Sequence, residues 1–254
     1  MATYQKRGQK RSNKAQSNNL RNEESATAEV FETLDTTASK TESIVAKYQN
    51  HILIIVGTIV FLSLGYLSYQ KFVNEPLEIE AISELNQAQY YFEMALNSSN
   101  SDSLYNRALN GGEGRYGFLD IIENYDGTPA SKLAKYSAGM SYLNIKDYKN
   151  AIKYLDQFDS DDIMLSALAK GAIGDAFAQL GQIQDAYDYY VEAFESSNNS
   201  YSTPKYLYKA GMIGSQLGKN STAIEYFKRI KDEFPEVSEA QLVDVQIGRL
   251  ENLK

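Results

Sequence analysis

Residues 133–158 read LAKYSAGMSYLNIKDYKNAIKYLDQF. The stretch has two close counterparts further on, ALAKGAIGDAFAQLGQIQDAYDYYVEAF at 167–194 and YLYKAGMIGSQLGKNSTAIEYFKRIKDEFP at 206–235. Laid over one another, they align Gly139 with Gly174 and Gly211, and Ala151 with Ala186 and Ala223, at steps of 35 and 37 residues in both series. A period of that size is the mark of a stacked supersecondary unit that cannot bury its apolar face alone. Small residues recur where two helices must approach closely, and large ones recur beside them to fill the space that remains. NIKD, LGQ and LGKN separate the two helices of each unit, as Gly and Asn do in turns.

These positions resemble the tetratricopeptide repeat (TPR). In that pattern small residues hold the eighth and twentieth places, and aromatic or aliphatic residues the eleventh and twenty-fourth. Tyr142 and Phe177 take the eleventh place, and Leu155, Tyr190 and Phe227 the twenty-fourth. Pro235 falls where the second helix of the last unit must end. Gly214, at the eleventh place of that unit, departs from the pattern and predicts looser packing there. The packing set is therefore Gly139, Tyr142, Ala151, Gly174, Phe177, Ala186, Gly211, Ala223, Phe227 and Pro235. YGFLDIIENYDGTP, ending near Pro129, matches the second helix of an earlier, partial unit. After Pro235, Ala240, Val243, Ile247 and Leu250 share one helical face, as a solenoid's capping helix requires.

Upstream, HILIIVGTIVFLSLGYLSYQK occupies 51–71, and residues 52–69 include no charge. Eighteen residues in a helix rise roughly 27 Å, about one hydrocarbon core. Eleven of them are Ile, Leu, Val or Phe, together favouring insertion by roughly 3 to 7 kcal/mol. The run begins after some fifty mostly polar residues, too late for a signal peptide, so it reads as a retained anchor. Tyr66, Tyr69 and Lys71 suit the interface beyond it. Lys6, Arg7, Lys10, Arg11, Lys14 and Arg21 precede the run without an acid among residues 1–21, whereas Glu75, Glu78, Glu80 and Glu84 follow it. The positive-inside rule then predicts a cytoplasmic N-terminus and, in a bacterium, periplasmic repeats.

The expected fold is all-α: one N-terminal transmembrane helix, a TPR-type helix-turn-helix solenoid and a C-terminal capping helix. The expected division is a basic, polar cytoplasmic tail with a short amphipathic segment at 1–50, the membrane helix at 51–71, and a leading helix and loop at 72–110. Repeats fill 111–254, with a partial unit at 111–130, units at about 132–160, 167–197 and 204–235, and a cap at 237–253.

Residues 72–254 hold 16 Lys and Arg against 27 Asp and Glu, a formal charge of −11. Such a surface repels nucleic acid, so no nucleic-acid partner is expected. The chain has no cysteine and a single histidine, His51, which removes disulfides, thiol chemistry, zinc sites and histidine-based triads from the region after the anchor. NGGEGRYG at 110–117 lacks the Lys and Ser/Thr of a phosphate loop and reads as a linker. DSDD at 159–162 lacks a calcium loop's terminal Glu and reads as an acidic turn. No enzyme activity, cofactor or metal is expected.

TPR precedent places the concave groove on the first helices of the units. The groove residues here are Tyr136, Met140, Asn144, Asp175, Gln179, Lys205, Tyr208, Lys209 and Met212. Tyrosine and methionine offer apolar area with adaptable contacts, which suits an extended peptide or a partner's helix. The carboxylate clamp of chaperone-tail-binding TPR proteins is incomplete, because Tyr136, Met140 and Ala172 stand where it needs Lys and Asn.

The whole arrangement resembles the YfgM family: EESATAEVFETL at 23–34, one membrane helix ending GYLSYQKF, NQAQYYFEMAL, then YGFLDIIENYDGTPASKLAKYSAGMSYL and stacked units. The resemblance covers about 23–254 and implies a single-pass protein of the bacterial inner membrane. It also implies an ancillary subunit of the SecYEG translocon that links it to periplasmic chaperones or a membrane-anchored foldase. The alternative is a structural scaffold subunit of another envelope assembly.

Overall fold

The computed structural model describes residues 14–98 and 101–252; within the first helix, side chains are described at 30, 31, 33–35, 37 and from 46 onward. The described residues are 81% helical, with no strand among them. It divides between Tyr69 and Gln70 into two units.

The first unit's described part is one α-helix, α1, Lys14–Tyr69. Its apolar stretch is long enough to cross a membrane. Ile52 through Tyr69 are all exposed. Thr58 spends its hydroxyl on the Ile54 carbonyl, 2.8 Å away, which satisfies a polar group that an apolar environment would otherwise penalise.

The second unit opens with a π-helical turn, Gln70–Asn74, and then α2, Glu75–Leu96. Four shorter helices follow: α3, Ser101–Asn110; α4, Phe118–Asn124; α5, Pro129–Asn144; and α6, Tyr148–Asp156. The remaining helices are α7, Ile163–Gln179; α8, Ile183–Glu195; α9, Thr203–Gln216; and α10, Asn220–Glu233. A 3₁₀ turn at Ser238–Gln241 leads into α11, Val243–Glu251.

Local chemistry sets these boundaries. Pro76, Pro129 and Pro204 sit in the first turns of α2, α5 and α9, where a missing N–H costs nothing. Thr128 caps α5 by accepting the Ser131 N–H at 3.1 Å. Asp162 caps α7 by accepting the N–H groups of Met164 and Leu165 at 2.9 and 3.0 Å. The acidic turn at 159–162 is therefore at least partly a helix cap. Gly181 and Gly218 end α7 and α9 with φ of 73° and 75°, and at the equivalent place after α5 Lys146 holds φ 65°. Two of the three turns thus use the residue without a Cβ penalty, and one does not.

The core runs through the second unit in three clusters. The first joins α2, α3, α4 and α5 around Leu109, Phe118 and Ile121. The second gathers Leu155, Ala169, Ala172 and Ile173 between α6 and α7. The third joins α8 through α11 around Leu207, Phe227, Ile230 and Val243. Fully burying a side chain such as Phe118 or Phe227 stabilises by about 1.5 to 3 kcal/mol.

Three local features differ from the sequence reading. Residues 101–103, within the 72–110 segment read as a leading helix and a loop, begin a second helix, α3, because Leu104, Tyr105, Ala108 and Leu109 fall on one helical face and are at least partly buried. The glycine-rich stretch at 110–117 is a tight turn closed by a bridge between Gly112 and Arg115. It is tied down by Arg107–Glu113 at 2.9 Å and Arg115–Glu84 at 2.7 Å. Gly214 is buried rather than loosely packed: the Tyr187 ring of the preceding unit fills the space, with Cε2 3.1 Å from where a Cβ would stand.

Candidate protein-binding face

Each helical pair is locked by one contact repeated three times. A Cβ on Gly139 would stand 2.5 Å from Leu155 Cγ, one on Gly174 2.7 Å from Tyr190 Cδ1, and one on Gly211 2.6 Å from Phe227 Cε1. The large residue always comes sixteen positions after the glycine. Ala151, Ala186 and Ala223 are buried on the second helices. Of the remaining packing residues, Tyr142 stacks on Tyr154 at 5.4 Å and Phe177 lies tilted against Tyr189 at 5.3 Å. Pro235 lies just beyond the end of α10. These contacts commit one face of α5, α7 and α9 to their partner helices, and other side chains of the three first helices remain for something else.

The clearest arrangement on those helices joins two units. Asp175 of α7 accepts a hydrogen bond from the Tyr190 hydroxyl at 2.7 Å and another from the Lys209 ammonium of α9. Lys209 lies 5.5 Å from the Tyr190 ring centre and 5.9 Å from that of Tyr206, within cation–π range of both. The two rings stack at 6.3 Å. Burial and the neighbouring Asp175 carboxylate both push the Tyr190 and Tyr206 phenols up from their ordinary value. Tyr206 packs against Gly171, where a Cβ would collide with its ring.

Tyr136 of α5 is half-buried, tilted against Phe158 at 5.3 Å. Burial raises its phenol, and the exposed Tyr201 adds to the effect. Tyr201 and Tyr136 in turn act on Tyr206. Three phenols from α5, α9 and the turn before α9 are therefore electrostatic neighbours. Lys205 is half-buried, with its ammonium 5.5 Å from the Tyr206 ring centre and no ion pair among the described residues. Asn144 is exposed and donates to the Met140 carbonyl at 2.8 Å. Gln179 is exposed and accepts weakly from Tyr148 at 3.5 Å.

The other groove residues serve packing as well. Met140 lies against the cluster around Leu155 and Ile173. Tyr208 and Met212 lie partly buried against the third cluster, with Tyr208 5.8 Å from the Phe227 ring. The structure thus brings Asp175 and Lys209 together and puts Lys205 beside Tyr206, with Tyr136 in electrostatic reach of the same phenol. Tyr206, Tyr201 and Gly171 were not singled out from sequence. The visible signal was a second glycine, three residues before Gly174. Among the described residues no group of three or more His, Asp or Glu stands close enough to hold a metal ion.

Residues 134–159 match a sequence family described as a tetratricopeptide repeat, and residues 205–236 match a second with the same description. The helices between them, α7 and α8, carry the same glycine-to-large-residue contact through Gly174 and Tyr190. No curated protein sequence matches the chain. Among solved structures, the crystal structure of PilW, a widely conserved type IV pilus biogenesis factor, superposes with a TM-score of 0.41 at 17% identity. It covers 76% of this chain and 97% of that one. Tetratricopeptide repeats indicate protein partners, and proteins built from them are generally non-enzymatic scaffolds.

Proposed function

We propose that this chain is a single-pass membrane adaptor, anchored by residues 52–69, whose α5, α7 and α9 face captures a protein partner. The carrying observation is the bridge from Asp175 to Lys209 between successive first helices, with the Lys205 ammonium over the Tyr206 ring and Tyr136 and Tyr201 within electrostatic reach of its phenol. Those side chains offer aromatic area beside polar and cationic groups, the composition of surfaces that hold peptide or helix partners. The fully exposed apolar stretch of α1 supports the anchor. The charge contrast between residues 1–21 and the region after Lys71 supports a cytoplasmic N-terminus.

The resemblance to the YfgM family makes the SecYEG translocon and a membrane-anchored periplasmic foldase the partners of choice. Confinement beside a translocon raises effective concentration, so contacts weak in isolation suffice. A photoreactive residue placed at Gln179 or Lys205 tests this directly. Crosslinks to translocon subunits at those positions, with none at Lys228 on α10, are expected. Capture of a different envelope complex would favour the scaffold alternative and remove the translocon reading.

A further inference from the structure

Helix α2 carries a second, separate surface. Its inner face is packed, with Ala81, Leu85, Ala88, Tyr91 and Ala95 buried. On the opposite face Ile79, Ile82, Tyr90 and Met94 are 64%, 43%, 55% and 42% exposed. They follow helical spacing over about 22 Å, with exposed Ser83 and Asn86 between Ile82 and Tyr90, and an amphipathic helix is not expected to show water large apolar side chains along the face opposite its core. Beyond Tyr90 and Met94 the stripe opens into a cleft of about 580 Å³, lined also by Glu93, Asn97 and Leu104.

Charge decides what covers the stripe. Helix α2 has five glutamates and neither lysine nor arginine. Glu84 is held by Arg115 at 2.7 Å and Glu80 by the Tyr125 phenol. Glu75, Glu78 and Glu93, which border the stripe, have no ion-pair partner among the described residues. A second copy would bring like charges together along the whole seam. An anionic lipid surface would be repelled in the same way. A helix with an apolar seam flanked by Lys or Arg satisfies both the stripe and the carboxylates.

We propose that the outward face of α2, from Ile79 to Met94, docks a basic amphipathic helix of a partner protein. This surface is independent of the α5, α7 and α9 face, so failure of either leaves the other standing.

The test uses the full chain in phosphatidylcholine nanodiscs, with a fluorescent amphipathic peptide of leucine and lysine as probe and a leucine–glutamate peptide as control. The leucine–lysine peptide is expected to bind and the control not. Ile79→Asn/Ile82→Asn/Tyr90→Asn keeps the charge and alters only exposed positions, and should weaken binding by about tenfold or more. Glu75→Gln/Glu78→Gln/Glu93→Gln should flatten the salt dependence, because fewer screened contacts remain. Equal binding by the apolar-stripe variant would overturn the proposal. An Ile82→Cys chain distinguishes the other occupants: a disulfide between copies would assign the stripe to a second copy, and quenching of a fluorophore on that cysteine by spin-labelled lipid would assign it to the membrane. Either would overturn the proposal.

Discussion

Gly174 and Tyr190 touch so closely that the ring occupies the place of a side chain: Cδ1 of Tyr190 lies 2.7 Å from where a Cβ on Gly174 would stand. Gly174→Ala must displace the ring, a cost of about 1 to 3 kcal/mol, partly offset by about 1 kcal/mol of helix propensity. A lowered melting temperature is expected. Tyr190→Leu in the same chain should recover part of the loss, so the double-mutant cycle reads a non-additive coupling. Additive effects would mean that the contact does not limit the approach of α7 and α8.

Lys146 offers the opposite sign. It holds φ 65° at the place where Gly181 and Gly218 end the other first helices. A left-handed conformation costs a residue with a Cβ about 1 to 2 kcal/mol. Lys146→Gly is therefore expected to stabilise the protein by about 0.5 to 1 kcal/mol in urea unfolding, despite the extra freedom that glycine gives the unfolded chain.

The cap of α7 separates two readings of the acidic turn. Asp162→Ala removes the acceptor of the Met164 and Leu165 N–H groups and should lower stability by about 0.5 to 2 kcal/mol. The loss should be the same with calcium and with a chelator present. A loss seen only in calcium would point to a bound ion instead.

Alkaline pH acts through the buried phenols. Tyr125 is pushed up to about 12, first by burial and then by Glu80, and Tyr190, Tyr206 and Tyr226 are raised by burial together with nearby polar groups. The unfolded chain releases these protons near pH 10, before the folded chain does. Stability is therefore whole below about pH 10 and falls as the pH rises towards 12. Helicity by circular dichroism should drop over that range, and late tyrosinate absorbance should appear with the drop. Ionisation of every tyrosine near pH 10 with helicity retained would contradict the burial.

The repeat skeleton was legible because it rests on local, periodic chemistry. Gly139, Gly174 and Gly211 recur with Ala151, Ala186 and Ala223, and each set is explained by the approach of two sequence-adjacent helices. What lay hidden depends on how one unit sits on the next. Tyr206 reaches Gly171 of the preceding unit, and Tyr187 fills the notch at Gly214 of the following one. Neither pairing follows from the period alone. Asp175 and Lys209 were both legible as groove residues, but their ion pair spans 34 residues and needs the stacked geometry. Helix α3 was obscured by its start, since Ser101, Asp102 and Ser103 are as common in turns as at helix N-termini.

The most direct measurement of the central claim uses the absence of cysteine. Ser200, exposed in the turn between α8 and α9, is a better site than the buried Ser197 beside it. Ser200→Cys and, separately, Ser12→Cys chains would be treated in intact cells with a membrane-impermeant thiol reagent. An anchored adaptor with external repeats predicts labelling at Ser200→Cys and protection at Ser12→Cys until the cells are opened. Protection at Ser200→Cys with labelling at Ser12→Cys would put the repeats in the cytoplasm and contradict the account.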